Sequence, residues 1–120
     1  MSGKAAQITI FHNPSCGTSR NTLGAIREAG IEPQVVEYLK AGWTKPQLQQ
    51  ILATMKTTPR DILRVRGTQA EELGLTAPDV SDEAILDAMV AHPILVERPI
   101  VVSPKGAALC RPMDKVRDLL

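Results

Sequence analysis

The stretch "ITIFHNPSCGTSRNTL", residues 8–23, decides the fold because it joins a strand, a turn and a helix around one cysteine. The β-forming run "QITIFH" (7–12) predicts a strand, and an Asn-Pro turn signal follows it. From Thr18 the apolar residues fall at helical spacing, and Gly30 is expected to end the helix. The sequence therefore places Cys16 just before the first turn of a helix.

A second strand is expected at "PQVVEYL" (33–39). The resulting β-α-β unit is short, so its crossover predicts that the two strands are parallel. The helix between them is predicted from three apolar residues at helical spacing, namely Leu23, Ile26 and Ala29.

The middle of the chain is predicted to be helical, with Thr44 and Ser81 as N-caps. The expected helical segments are 45–55, 59–66, 68–75 and 82–92. After them, strands at 99–103 and 107–110 are predicted to form a hairpin, and Pro112 is predicted to open a last helix.

This order of elements, β-α-β, a helical block and then β-β-α, predicts an α/β fold of the thioredoxin/glutaredoxin-like type. The length of 120 residues predicts a single domain over residues 1–120, with a helical insertion at about 44–92.

Composition excludes several classes of function. A net charge of +1 and one each of Phe, Trp and Tyr argue against a nucleic-acid-binding or membrane-surface protein. No apolar run has the length of a membrane span, and the N-terminus has no secretory signal, so we expect a cytoplasmic protein. In that reducing compartment Cys16 and Cys110 are expected to be unpaired, and two histidines with two distant cysteines predict no metal site.

Cys16 has the surroundings of a nucleophile rather than of a buried structural cysteine, which is the alternative reading. Amides at a helix N-terminus favour the thiolate and lower the pKa of a thiol. Gly17 lets backbone amides approach a group held by the sulfur, and Ser19 lies within reach of a thiolate. Arg20 and His12 add potential positive charge.

The spacing around Cys16 excludes two classes of thiol enzyme. A C-x5-R phosphatase loop needs an arginine where this chain has Thr22, and a C-x-x-C dithiol needs a cysteine where it has Ser19. The chain therefore cannot close a disulfide within this motif. We therefore expect the reductant to come from outside the chain.

Three arginines lie near predicted strand or helix ends, although their spacing in the sequence does not by itself indicate that they form one site. They are Arg64, Arg98 and Arg111. An isolated arginine is usually a solvated surface charge, and Arg66 is an alternative to Arg64. Pro99 stands where a thioredoxin-like fold carries a cis-proline, and Cys110 is interpreted as a small core residue.

Three motifs, "ITIFHNPSCGTSRNTL", "HPILVERPIVV" and "LCRP", resemble the glutaredoxin-coupled arsenate reductases over essentially the whole chain. The resemblance implies that Cys16 attacks arsenate or a similar oxyanion, and that His12 lowers the pKa of the thiol. It also implies a cis bond before Pro99, glutathione as co-substrate, glutaredoxin as partner and no bound cofactor. The implied oxyanion-binding residues are Arg64, Arg98 and Arg111.

Two differences from the plasmid-borne members of the family make this chain resemble a chromosomal branch. Plasmid-borne members continue past the position of Leu120, and they carry Lys-Asn where this chain has Val65-Arg66. Two other functions stay open. "CGTS" resembles the monothiol glutaredoxins, which are thiol transferases, and Spx-type regulators, which bind RNA polymerase, share the fold.

Overall fold

The computed structural model of the protein describes residues 8–111 and 113–120. Two predictions fall outside these residues: the start of the first strand at Gln7 and the opening of the last helix at Pro112. The chain divides into two compact units, one containing the described residues of 8–41 and 98–120, the other Gly42–Glu97. That the chain is a single domain stays a prediction.

The first unit contains a four-stranded sheet in the order β2-β1-β3-β4. Strand β1 runs parallel to β2 and antiparallel to β3, which is antiparallel to β4. The predicted parallel pair and the predicted C-terminal hairpin are thus confirmed. The strands are β1 (Thr9–His12), β2 (Gln34–Glu37), β3 (Ile100–Ser103) and β4 (Gly106–Leu109).

Helix α1 (Gly17–Glu28) connects β1 to β2 and buries Ile26 completely. Ala29, the last of the three residues at helical spacing, is the exposed C-cap residue of α1. Gly30 follows with a φ of 85°, a left-handed conformation that ends the helix as predicted. The core of this unit consists of Ile8, Ile10, Ile26, Val101, Cys110, Val116 and Leu119.

Two elements of the first unit differ from the sequence prediction. The second strand ends at Glu37, because the fully buried Tyr38 begins a single helical turn, α2 (Tyr38–Ala41). The last helix, Met113–Leu119, is a 3-10 helix. Its buried residues Val116 and Leu119 are three positions apart, and a 3-10 helix places such residues on one face.

The second unit is built on α3 (Lys45–Met55) and α4 (Asp82–Ala91), with 3-10 turns at Pro59–Ile62 and Pro93–Leu95. Both predicted N-caps are confirmed: the Gln47 N–H donates to the Thr44 hydroxyl, and the Ala84 N–H donates to the Ser81 hydroxyl. Among the described residues of the whole chain, no helix has the length and apolar character needed to cross a membrane.

The predictions of a helix at 59–66 and of another at 68–75 are wrong. The first is only a 3-10 turn, because Leu63 leaves it to pair with Val96 in an isolated β-bridge. The second region forms turns between Gly67 and Gly74, whose φ angles are 75° and 76°. The Thr68 hydroxyl also accepts the Ala70 N–H, a local bond that competes with a helix.

Candidate active site

Cys16 is the N-cap residue of α1, with extended backbone dihedrals and a half-buried side chain. Its N–H donates to the Asn13 carbonyl at 3.0 Å, and its own carbonyl accepts the Arg20 N–H at 3.0 Å. The Asn13 side chain accepts the Ser15 N–H at 2.9 Å, which closes the turn. The sulfur is thereby presented at a helix N-terminus, as the sequence predicts.

The surroundings of Cys16 favour its thiolate. Burial raises the pKa of Cys16, but hydrogen bonds from the Ser19 backbone N–H, Arg98 and Arg111 outweigh burial. Together they lower the pKa from 9.0 to about 7. Near neutral pH a large fraction of this thiol is therefore the nucleophilic thiolate.

Two of the three predicted arginines lie at this thiol. Arg111 Nη1 is 3.7 Å from the Cys16 sulfur and also donates to the Arg98 carbonyl at 3.0 Å. Arg98 Nε and Nη1 are buried and have no hydrogen-bond partner within the described part of the chain. Buried donors are normally satisfied, so these two nitrogens are free to bind an oxyanion next to the sulfur.

The register of the C-terminal hairpin brings these arginines together. Ile100 pairs with Leu109, and the Cys110 N–H donates to the Pro99 carbonyl at 2.9 Å. Continuing this antiparallel register places Arg111 opposite Arg98. The register of the predicted hairpin could therefore have indicated that Arg98 and Arg111 are neighbours, although their spacing along the chain does not. As the resemblance implies, the Arg98–Pro99 bond is cis.

Arg64 belongs to the second unit, where its guanidinium pairs with Glu97 at 2.9 Å. Both side chains are largely buried, and the Leu63–Val96 bridge fixes their backbones side by side. Arg66, the alternative that the sequence left open, is exposed. The sequence offered no signal for Glu97, because the two partners are far apart along the chain.

His12 contacts Ser19, with 2.6 Å between Nδ1 and the Ser19 hydroxyl oxygen. The side chain is 5% exposed, and this burial lowers its pKa below 6.5, so the ring is largely uncharged near neutral pH. Near neutral pH the positive charge suggested for this position is therefore carried by only a minor fraction of the His12 rings. Arg20 is exposed and donates to the Pro14 carbonyl at 2.9 Å.

Gly17 and Cys110 were also singled out from the sequence. A side-chain atom at Gly17 would meet Arg20 Nη2 at 3.8 Å, an ordinary van der Waals distance, so the backbone there stays open to approach. Cys110 is fully buried and unpaired, and burial raises its pKa to about 12. The core role predicted for Cys110 is confirmed.

Alkylation should distinguish the two thiols. We expect the rate of carbamidomethylation of the folded protein to rise about tenfold per pH unit below the pKa of Cys16 and to level off above it. The midpoint is expected at a pH of about 7. Mass spectrometry should locate the label on Cys16, with Cys110 labelled only after unfolding. A midpoint near 9, or early label on Cys110, would contradict this description.

Comparison with known proteins gives consistent matches over most of the chain. The sequence profile of the ArsC family matches residues 11–119. "Arsenate reductase ArsI2" of Synechocystis sp. is 58% identical over 113 residues, which are 94% of this chain and 81% of that protein. An "Arsenate reductase" of Escherichia coli is 48% identical over 115 residues, which are 96% of this chain and 82% of that protein.

The solved structures show the same fold. "Arsenate reductase from Vibrio cholerae" superposes with a TM-score of 0.90 at 36% sequence identity, covering 96% of this chain and 99% of that one. The predicted α/β fold of the thioredoxin-like type is therefore confirmed.

Proposed function

Because this chain belongs to the ArsC family, we propose that it reduces arsenate to arsenite through attack of the Cys16 thiolate on the oxyanion. The observation that carries the proposal is the arrangement at Cys16. A thiol with a pKa of about 7 lies beside Arg111 and beside Arg98, two of whose guanidinium nitrogens have no hydrogen-bond partner among residues 8–111 and 113–120.

The first step forms a sulfur–arsenic bond. The Cys16 thiolate attacks arsenic and displaces one arsenate oxygen, which leaves as water after protonation. The oxyanion then remains attached to the sulfur as a thiol–arsenate adduct. Arg98 and Arg111 stabilise its negative oxygens, since planar guanidinium groups match the geometry of such anions. The N-terminal amides of α1 add a second source of stabilisation.

The second step reduces arsenic. A glutathione thiol attacks the Cys16 sulfur, the sulfur–arsenic bond breaks, and its electron pair stays on arsenic, which becomes arsenite. The two sulfurs supply these two electrons and are left as a Cys16–glutathione disulfide. A glutaredoxin thiolate then attacks this mixed disulfide and releases the Cys16 thiolate.

An external thiol is needed because the chain offers no resolving cysteine near Cys16. Ser19 occupies the position of the second cysteine of a C-x-x-C pair, and Cys110 is buried with a raised pKa. Glutathione and glutaredoxin are proposed on the family resemblance, and this chemistry suits a reducing cytoplasm. Arg64 is proposed as the third oxyanion-binding arginine on the same basis.

The proposal is tested by measuring arsenite formed from arsenate with three combinations of reductants and with a control that lacks the protein. We expect sustained turnover only with glutathione and glutaredoxin together, and about one turnover at most with glutathione alone. Neither glutaredoxin alone nor the mixture without protein should form arsenite at a comparable rate. No turnover by the folded protein with both reductants would contradict the proposal. Reduction of a glutathionylated peptide in that case would favour the thiol-transferase alternative.

A further inference from the structure

Arg64 and Glu97 lie on two short segments whose backbones are bound to each other. The Arg64 N–H donates to the Leu95 carbonyl at 2.7 Å, and the Glu97 N–H donates to the Ile62 carbonyl at 2.8 Å. These two bonds flank the isolated β-bridge of the second unit. The backbones of the arginine and of the glutamate are therefore fixed relative to each other.

The contact with Glu97 uses only one nitrogen of the Arg64 guanidinium. Arg64 Nη1 donates to Glu97 Oε1 at 2.9 Å. Arg64 Nε and Nη2 make no hydrogen bond to any residue among 8–111 and 113–120. The N–H groups of Nε and Nη2 lie on one edge of the guanidinium and form a pair of parallel donors that matches two oxygens of an oxyanion. Glu97 thus leaves this edge of Arg64 open.

Stability alone does not account for this ion pair. The side chains of Arg64 and Glu97 are only 19% and 24% exposed, so both charges lose most of their contact with water. In every other ion pair among the described residues, at least one side chain is more than half exposed. Since the cost of removing two charges from water can exceed their mutual attraction, a largely buried pair is weak evidence for a stabilising role.

We propose that Glu97 is a positioning residue for Arg64: its carboxylate holds Nη1 and keeps the edge formed by Nε and Nη2 available to an oxyanion. The inference rests on the proposed role of Arg64 as the third oxyanion-binding arginine. Positioning needs the length of the glutamate side chain and an acceptor oxygen, but not its negative charge. If Glu97 instead competed with the oxyanion for Arg64, its charge would be the property that matters.

The measurement is the protection of Cys16 from alkylation by arsenate, without glutathione or glutaredoxin. The rate with arsenate is divided by the rate of the same variant without arsenate, so differences in the reactivity of the thiol cancel. The arsenate concentration that halves the rate then reports binding and needs no turnover. Absence of protection in the parent would contradict the proposed function and this inference together. Protection of the parent without turnover would contradict only the proposed reduction.

Two conservative replacements separate position from charge. Glu97→Gln keeps the length and an acceptor oxygen but loses the charge, whereas Glu97→Asp keeps the charge but is one methylene shorter. We expect the half-protecting concentration of Glu97→Gln to stay within about threefold of the parent, and that of Glu97→Asp to rise about tenfold. A parental value for Glu97→Asp, equal losses in both variants, or binding by Glu97→Gln at least about tenfold tighter than the parent would overturn the proposal.

A double replacement tests whether Glu97 acts through Arg64. In an Arg64→Ala background, Glu97→Asp should change the half-protecting concentration by less than about twofold, and a full tenfold effect would contradict the proposal. Glu83→Asp is the matched control, because Glu83 pairs with Lys45 in the same unit but is 64% exposed. It should keep the parental value. Thermal unfolding is measured for each variant, and if Arg64→Ala does not fold, the two Glu97 variants still decide.

Discussion

Replacement of Cys16 with serine is expected to lower arsenite formation by at least about 10³-fold. The serine hydroxyl stays protonated near neutral pH, and it cannot form the disulfide that completes the reduction. The measurement is arsenite produced from arsenate with glutathione and glutaredoxin. Serine is close to cysteine in size, so the variant should keep the melting temperature of the parent within a few degrees.

Cys110→Ala is the matched control for this experiment. Cys110 is the only other cysteine, and it lies in the core of the first unit. Its removal should cost stability through a small cavity but leave most of the turnover. Turnover by Cys16→Ser within tenfold of the parent, or loss of turnover only in Cys110→Ala, would exclude Cys16 as the nucleophile.

Replacement of Arg98 with alanine is expected to lower kcat/KM for arsenate about 10²-fold. The variant loses the two buried donors that have no partner among the described residues, together with one of the groups that lower the pKa of Cys16. Arg98→Lys should recover part of the loss, because it keeps the charge but not the planar pair of donors.

Arg117→Ala is the control for the loss of one positive charge, because Arg117 is exposed and lies in the same unit. Its kcat/KM should stay within twofold of the parent. The comparison should be made at pH 8.5 as well as at pH 7, since a higher pH restores the thiolate and isolates oxyanion binding. Equal kcat/KM values for Arg98→Ala and Arg117→Ala would contradict an oxyanion role for Arg98.

The position of Cys16 could be predicted because it depends on local sequence. A β-forming run, an Asn-Pro turn and a change to helical spacing lie within a few residues of one another. The N-caps at Thr44 and Ser81 were predicted correctly for the same reason, since each depends on residues within one helical turn. The predicted helix at 68–75 failed because two glycines in left-handed conformations and one threonine hydroxyl favoured turns over a short helix.

The arginine site required information that lies outside any short window. Arg98 and Arg111 meet only because the hairpin register places them opposite each other, and the pairing of Arg64 with Glu97 depends on a β-bridge between distant segments. The surroundings of His12 could not be predicted from the sequence either. Its proximity to the thiol suggested a positive charge, whereas burial lowers the pKa of the ring and favours its neutral form.

The most direct test of the central claim is the arsenate-dependent formation of a mixed disulfide on Cys16. The protein is incubated with arsenate and glutathione, without glutaredoxin, quenched with acid and digested without reducing agent. We predict one glutathionyl group on the peptide that contains Cys16, in an amount equal to the arsenite formed and absent when arsenate is omitted. Arsenite formed without this modification, or glutathione found on Cys110 instead, would contradict the mechanism.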